Sequence, residues 1–318
     1  MTQVLVLAKK SALRMHIEGQ DAARHDRVER LLRENDLTVQ RMAGAHVQHE
    51  ACLEELKTAL AELGCEAKMV MAAALDEFKV VIDPRPGGAA APLTRKPDLV
   101  VTVGGDGTLL AASHAIGDTP ILAINSAPDY SVGFFCGGRL GAVRDTLAQA
   151  LAGELPVAKL TRMKVEKDNI LLTTRVLNEV LVCSASPAAT TRYILEHRGN
   201  VEEQKSSGIW IGPAAGSTAA QRSAGGRVLP LASHKLQFVV REPYTPAGQV
   251  LRLPRGVVSP GESLSIRVKM SDGRVFVDGP HEVHTVTIGD HLRFSASDEP
   301  LTLLGVVRRR GWQTKKDA

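Results

Sequence analysis

Leu99-Val100-Val101-Thr102-Val103-Gly104-Gly105-Asp106-Gly107-Thr108-Leu109-Leu110 decides the fold of this chain. An apolar run stops at a glycine pair, an acid follows, and a helix-like run resumes after Thr108. The layout predicts a buried strand, a glycine turn and a helix N-terminus. Glycines let the backbone approach a ligand with no Cβ in the way. The free N–H groups at the helix start suit a phosphate. Asp106, in the middle of the turn, would repel that phosphate unless it serves a bridging Mg²⁺ or takes a proton from a hydroxyl. Both roles belong to phosphoryl transfer. The bland alternative makes Asp106 a helix N-cap, which explains the acid but not the glycines around it.

Outward from this stretch, residues 1–154 alternate strand and helix signals. Val4 to Leu7 and Lys68 to Met71 read as strands. Arg27 to Arg33 and His46 to Leu63 read as helices, with Gly64 placed to end the second. A Pro- and Gly-rich loop spans 84–97. Ile121 to Ile124 is a further strand closed by Asn125, and Leu140 to Leu151 is a helix followed by Gly153. This alternation predicts an α/β domain with a parallel sheet and helices on both faces. After Pro156 the texture changes to short β-rich runs: 157–165, 170–174, 176–183, 191–195, 236–240, 264–268, 275–277, 283–288 and 292–295. Turn pairs such as Asp278-Gly279 and Gly289-Asp290 separate them. A sandwich-like β domain over 155–300 is expected, with 301–318 as a strand returning to the first domain and a basic tail, Arg308 to Lys316, read as a solvated end.

Composition excludes several classes. The chain has 318 residues, 39 Lys and Arg against 35 Asp and Glu, and 3% aromatics. A net charge of +4 without interleaved aromatics does not indicate nucleic acid. No run approaches the ~20 apolar residues of a membrane span. Cys52, Cys65, Cys136 and Cys183 form no CxxC pair, which points to a reducing, cytoplasmic setting rather than to zinc or disulfides. The histidines show no metal-binding spacing, and Trp210 is read as core.

Two further constellations carry chemistry. Asn178 and Glu179 sit inside an apolar β run, where neighbouring side chains point to opposite faces unless a bulge intervenes. An amide and a carboxylate together can hold a ribose diol; the bland reading is a pair of solvated strand-end residues. Gly208 to Gly226 is a strand, a small-residue turn and a short helix over Ser217 to Ser223, with Ser217, Thr218 and Ser223 as hydroxyl donors. Its small residues leave space for a flat ligand, or form a tight packing corner.

The order of these parts resembles the NAD kinase family over residues 98 to 307: GGDGT at 104–108, Asn178-Glu179, the GSTAAQRSAGG segment at 216–226, then Asp278-Gly279 and Gly289-Asp290. The resemblance implies transfer of the ATP γ-phosphoryl group to the 2′-hydroxyl of the adenosine ribose of NAD or NADH. It implies Asp106 as the catalytic carboxylate at that hydroxyl and an indirect contact to Mg²⁺. Gly104, Gly105, Gly107 and Thr108 would line the ATP phosphates. Asn125, Phe134, Asn178, Glu179, Thr218 and Ser223 would contact the dinucleotide. A homodimer assembled through the β domains, and no nucleic-acid or membrane partner, are implied with it. Ala220 stands where the family has Tyr, Ser207 where it often has Asp, and Pro213-Ala214-Ala215 where it has Thr-Pro-Thr. These departures are similar to the small plant-type NADH kinases and favour NADH as acceptor. A lipid kinase shares the glycine turn but needs a GTGND-type segment absent here. A non-catalytic dinucleotide sensor would not need Asp106.

Overall fold

The computed structural model describes residues 2–19, 21–72, 96–248 and 250–306. The loop read over 84–97 falls outside them except for its last two residues, and so does the basic tail. Described residues up to Ala158, joined by those from Thr302, form one unit, and Lys159–Leu301 form the other.

The N-terminal unit is built on a sheet of β1 (Gln3–Lys9), β2 (Glu66–Ala72), β3 (Leu99–Gly104), β4 (Ile121–Asn125), β5 (Gly138–Arg139) and β6 (Val157–Leu160). The spatial order is β2-β1-β3-β4, then the returning strand Leu301–Leu304, then β6, with β5 paired to the end of β4. The pairings β2-β1-β3-β4 are parallel, and the returning strand lies parallel to β4 with Leu303 opposite Ile121. Val4, Val6, Val101, Val103 and Ile124 pack one face against Leu53, Leu56 and Leu60 of helix α3 (Leu37–Glu62) and Val143 and Leu147 of a later helix, Val143–Ala152. Leu5, Leu7 and Thr102 alternate to the opposite face and are buried as well. A sheet covered on both faces explains why β3 and β4 read as unbroken apolar runs.

Helices α1 (Ala12–Ile17) and α2 (Ala22–Arg33) precede α3. The sequence reading started α2 and α3 too late and missed α1. Their true starts are marked by caps: Ser11, Asp21 and Asp36 each accept a hydrogen bond from an amide two or three residues on. Val39 and Met42 continue the stripe of Leu53, Leu56 and Leu60 at helical spacing, but His46 and His49 interrupt it, so the apolar pattern alone starts the helix late.

The C-terminal unit is a sandwich of antiparallel sheets. One runs Asn200–Ser206, Thr191–His197, Ser263–Val268, His291–Ala296, Met163–Lys167, Ile170–Val176. The other runs Arg255–Val258, Leu236–Arg241, Gly208–Pro213, Val180–Ser184, Gly273–Val277, Glu282–Val286. Val165, Tyr193, Leu264, Ile266 and Phe294 from the first meet Val180, Val182, Ile209, Ile211, Phe238 and Val275 from the second in one core. Edge strands Asn200–Ser206 and Arg255–Val258 escaped the sequence reading because they carry little apolar alternation. The run 157–165 is two strands, not one. It breaks at Thr161-Arg162, where the fully buried Arg162 donates from Nε to the Glu299 carbonyl at 2.6 Å. Trp210 is half-buried rather than core, with the Arg241 guanidinium 5.5 Å from its ring centre.

Candidate functional site

In the N-terminal unit, Val103 and Gly104 end β3, Gly105 caps the next helix, α4 (Asp106–Ser113), and Asp106 is that helix's first residue. Asp106 therefore lies in the helix and does not cap it. Its side chain reaches across to another loop: Oδ2 accepts from the Phe134 N–H at 2.9 Å and Oδ1 from the Phe135 N–H at 2.8 Å. Two amides fix the plane of the carboxylate, and each oxygen keeps a lone pair for a further donor. The amides of Asp106 and Gly107 precede the first intrahelical acceptor and stand open at the glycine turn. Gly107 is exposed, with no heavy atom within 4 Å of where its Cβ would stand.

The structure changes the reading of Thr108. Its side chain is buried beneath the loop, and a Cβ on Gly104 would come within 2.1 Å of Thr108 Oγ1. The Thr108 N–H bonds the Gly105 carbonyl at 3.0 Å. Gly104 is thus glycine to admit Thr108. Asn125 also works inside the protein. Its Nδ2 donates to the Ser131 carbonyl at 3.1 Å, and its Oδ1 accepts from Ser131 Oγ at 2.7 Å and the Ala127 N–H at 3.2 Å. Phe134 contributes its amide to Asp106, and its ring meets Phe135 edge to face at 5.2 Å. Burial, with the Asp106 charge second, pushes the Cys136 thiol up to about 12, so it stays protonated.

Beside Gly104 and Gly105 opens a cleft of about 420 Å³, lined also by Lys9, Ser11, Arg41, Met42, His46 and His49. Lys9 ends β1, and Arg41, His46 and His49 follow one another along α3. His46 Nδ1 meets Ser11 Oγ at 2.7 Å, His49 Nδ1 meets Ser126 Oγ at 2.8 Å, and Arg41 Nη2 donates to the Tyr130 carbonyl at 2.6 Å. Burial holds His49 below the usual imidazole range, leaving Lys9 and Arg41 as the fixed positive charges of this wall. Sequence reading missed these residues because they lie about 55 to 95 positions before the glycine turn and share no motif with it.

In the C-terminal unit, Asn178-Glu179 is not inside a strand. Strands end at Val176 and resume at Val180, and the pair forms the corner between the sheets. Opposite-face alternation therefore does not apply. Asp278 accepts from the N–H groups of Leu177 at 2.8 Å, Asn178 at 2.7 Å and Glu179 at 2.9 Å. Hydrogen bonds to a charged group contribute roughly 1.5–3 kcal/mol each. Glu179 Oε1 accepts from Asn178 Nδ2 at 3.2 Å, while Oε2 is buried with no protein partner. Burial, reinforced by the Asp278 charge, pushes the Glu179 carboxyl up to about 8. At neutral pH Glu179 offers one O–H donor and one carbonyl acceptor instead of a carboxylate.

The small-residue turn packs onto this corner. A Cβ on Gly216 would stand 1.7 Å from the Asn178 carbonyl oxygen, and one on Gly212 would stand 2.3 Å from it. The space left by these glycines holds backbone, not a flat ligand. Ala214–Thr218 is a 3₁₀ turn and Ala220–Ser223 a single helical turn, in place of one short helix. Ser217 is buried, donating to the Ala214 carbonyl at 2.7 Å and accepting from the Leu229 N–H at 3.0 Å. Thr218 is half-buried and Ser223 exposed.

Residues 9–155 match the family model described as the ATP-NAD kinase N-terminal domain. A probable NADH kinase of Oryza sativa subsp. japonica is 35% identical over 226 residues, covering 64% of this chain and 69% of that protein. An NADH kinase of Arabidopsis thaliana is 35% identical over 230 residues, covering 65% and 72%. Among solved structures, a yeast NADH kinase complexed with NADH superposes with a TM-score of 0.68 at 16% identity, covering 97% of this chain and 84% of that one. An NAD kinase from Archaeoglobus fulgidus in complex with ATP gives 0.62 at 18% identity, covering 95% and 93%.

The Glu179 environment gives a pH test. The folded state keeps this proton up to about pH 8, well above the ordinary carboxylate range. Its contribution to stability is therefore complete at low pH and is lost as pH rises through that value. Thermal melts of ligand-free protein should show Glu179→Gln matching the parent at pH 5 and exceeding its Tm at pH 9. A Tm difference that does not vary with pH would remove the buried neutral acid.

Proposed function

The chain belongs to the NAD kinase family, and we propose that NADH is its preferred acceptor. The reaction is transfer of the γ-phosphoryl group of ATP to the 2′-hydroxyl of the adenosine ribose of NAD(H), yielding NADP(H). The observation that carries the site reading is the Asp106 carboxylate, held by the Phe134 and Phe135 amides at the first turn of the helix that follows the glycine turn. The preference for NADH rests on Ser207, Ala220 and Pro213-Ala214-Ala215 and on the plant relatives. The lipid-kinase and sensor readings draw no support from the family assignment.

In this reading the open amides of the glycine turn, with Lys9 and Arg41 along the cleft, take the donor's phosphates. Asp106 accepts the acceptor hydroxyl's proton or hydrogen bond and aims its oxygen in line. Most of the acceleration comes from alignment and charge neutralisation. The described residues contain no group of three or more His, Cys, Asp or Glu able to cage a metal. Asp106 would help hold a Mg²⁺ that arrives on the nucleotide, and the ion would neutralise phosphate charge there. Asn178, Glu179, Thr218 and Ser223 are assigned to the dinucleotide, with Asn125 and Phe134 serving it through the loop they brace, and Thr108 to the ATP phosphates through the turn it supports. A homodimer and a cytoplasmic setting complete the proposal. No helix among the described residues is long and apolar enough to cross a membrane, and light scattering would decide the dimer.

Asp106→Asn should lower kcat by about 10²-fold or more while circular dichroism remains that of the parent; full turnover in the variant would remove Asp106 from the chemistry. Lys9→Met should raise KM for ATP about tenfold, the equivalent of ~1.4 kcal/mol, and leave KM for NADH nearly unchanged. Parallel rises in both constants would place Lys9 elsewhere.

A further inference from the structure

Asp278 follows the strand Gly273–Val277 and adopts φ 47°, with Gly279 next at φ 122°. Left-handed backbone is uncommon outside glycine, though Asp and Asn tolerate it, and consecutive positions of this kind are retained where a local geometry is required. The geometry achieved is specific. The carboxylate collects three successive amides, Leu177, Asn178 and Glu179. The Asp278 N–H returns a bond to the Glu179 carbonyl at 2.9 Å. On the other side, the Asn178 carbonyl is met by Gln221 Nε2 at 3.4 Å, and Gly212 and Gly216 omit the Cβ atoms that would displace it. Gln221 is itself buried, its Oε1 accepting from Gln237 Nε2 at 3.0 Å. The backbone of Asn178 is held at both its N–H and its carbonyl, in two successive peptide groups.

We propose that Asp278 is the positioning residue of this corner: by holding three consecutive amides it sets where the Asn178 and Glu179 side chains stand, and so governs affinity for the dinucleotide. The inference rests on the reading of Asn178 and Glu179 as dinucleotide-binding. A single turn residue anchoring several amides is an economical way to hold polar side chains that sit between strands, where no ladder fixes them. In this proposal Asp278 acts on the substrate through the pair it holds.

Asp278→Asn and Asp278→Gly both suit a left-handed backbone and should fold. Initial rates with NADH and ATP varied separately should show KM for NADH raised tenfold or more and KM for ATP within twofold of the parent. An unchanged KM for NADH in a folded variant, or equal rises for both substrates, would overturn the proposal, the second because general loosening spares neither. If neither variant folds, amide exchange in the unaltered protein decides. Protection at Leu177, Asn178 and Glu179 that deepens with NADH but not with ATP supports the anchor, and exchange as fast as that of an unprotected amide refutes it. Should the unaltered protein fail to phosphorylate NADH, the acceptor assignment falls first. NADH binding measured by fluorescence, compared between the parent and Asp278→Gly, then tests the anchor on its own.

Discussion

A carboxylate that collects backbone amides from a distant loop is the interaction on which both candidate regions depend. Asp106 holds Phe134 and Phe135, and Asp278 holds Leu177, Asn178 and Glu179. Each loop lies outside regular ladders, so its amides need partners from elsewhere. A charged acceptor meets that need and carries directional information, because each bond fixes the orientation of a peptide plane. The acids differ in what remains to them. Asp106 sits beside an open glycine turn and keeps lone pairs for chemistry. Asp278 spends its capacity on the corner and hands the polar exposure to its neighbours.

The glycines follow from this arrangement. Gly104 yields to the Thr108 side chain, and Gly212 and Gly216 yield to the Asn178 peptide. Only Gly107 among these faces empty space. The glycine-rich texture therefore reflects close approach of protein to itself at three positions and openness toward a ligand at one. A count of small residues cannot separate these cases, since both require the absence of a Cβ.

What the sequence made legible follows the same division. The strand, turn and helix around Gly104 could be read because a fully buried parallel strand is continuous in hydrophobicity and ends abruptly. The sandwich was legible from its short alternating runs and turn pairs. The corner at Asn178-Glu179 was read as strand because Val176, Leu177, Val180 and Val182 continue an apolar pattern through it. What turns the chain there is Asp278, about a hundred residues away, flagged in the sequence only as half of a turn pair. Long-range anchoring of amides leaves no local trace. The same holds for Lys9 and Arg41, which reach the glycine turn through the packing of β1 and α3.

The neutral form of Glu179 bears on how a ribose is recognised. A carboxylate offers acceptors alone, and each hydroxyl it binds must be the donor. A buried carboxylic acid offers one of each, matching a diol in which one hydroxyl donates and the other accepts. Burial pushes in this direction first and the Asp278 charge reinforces it. Glu179 Oε2, buried without a protein partner, would find one in a bound hydroxyl. A polar atom left unpaired in a buried corner is costly, and a ligand that satisfies it gains that energy on binding. On the proposed reading, that ligand is the ribose of the dinucleotide.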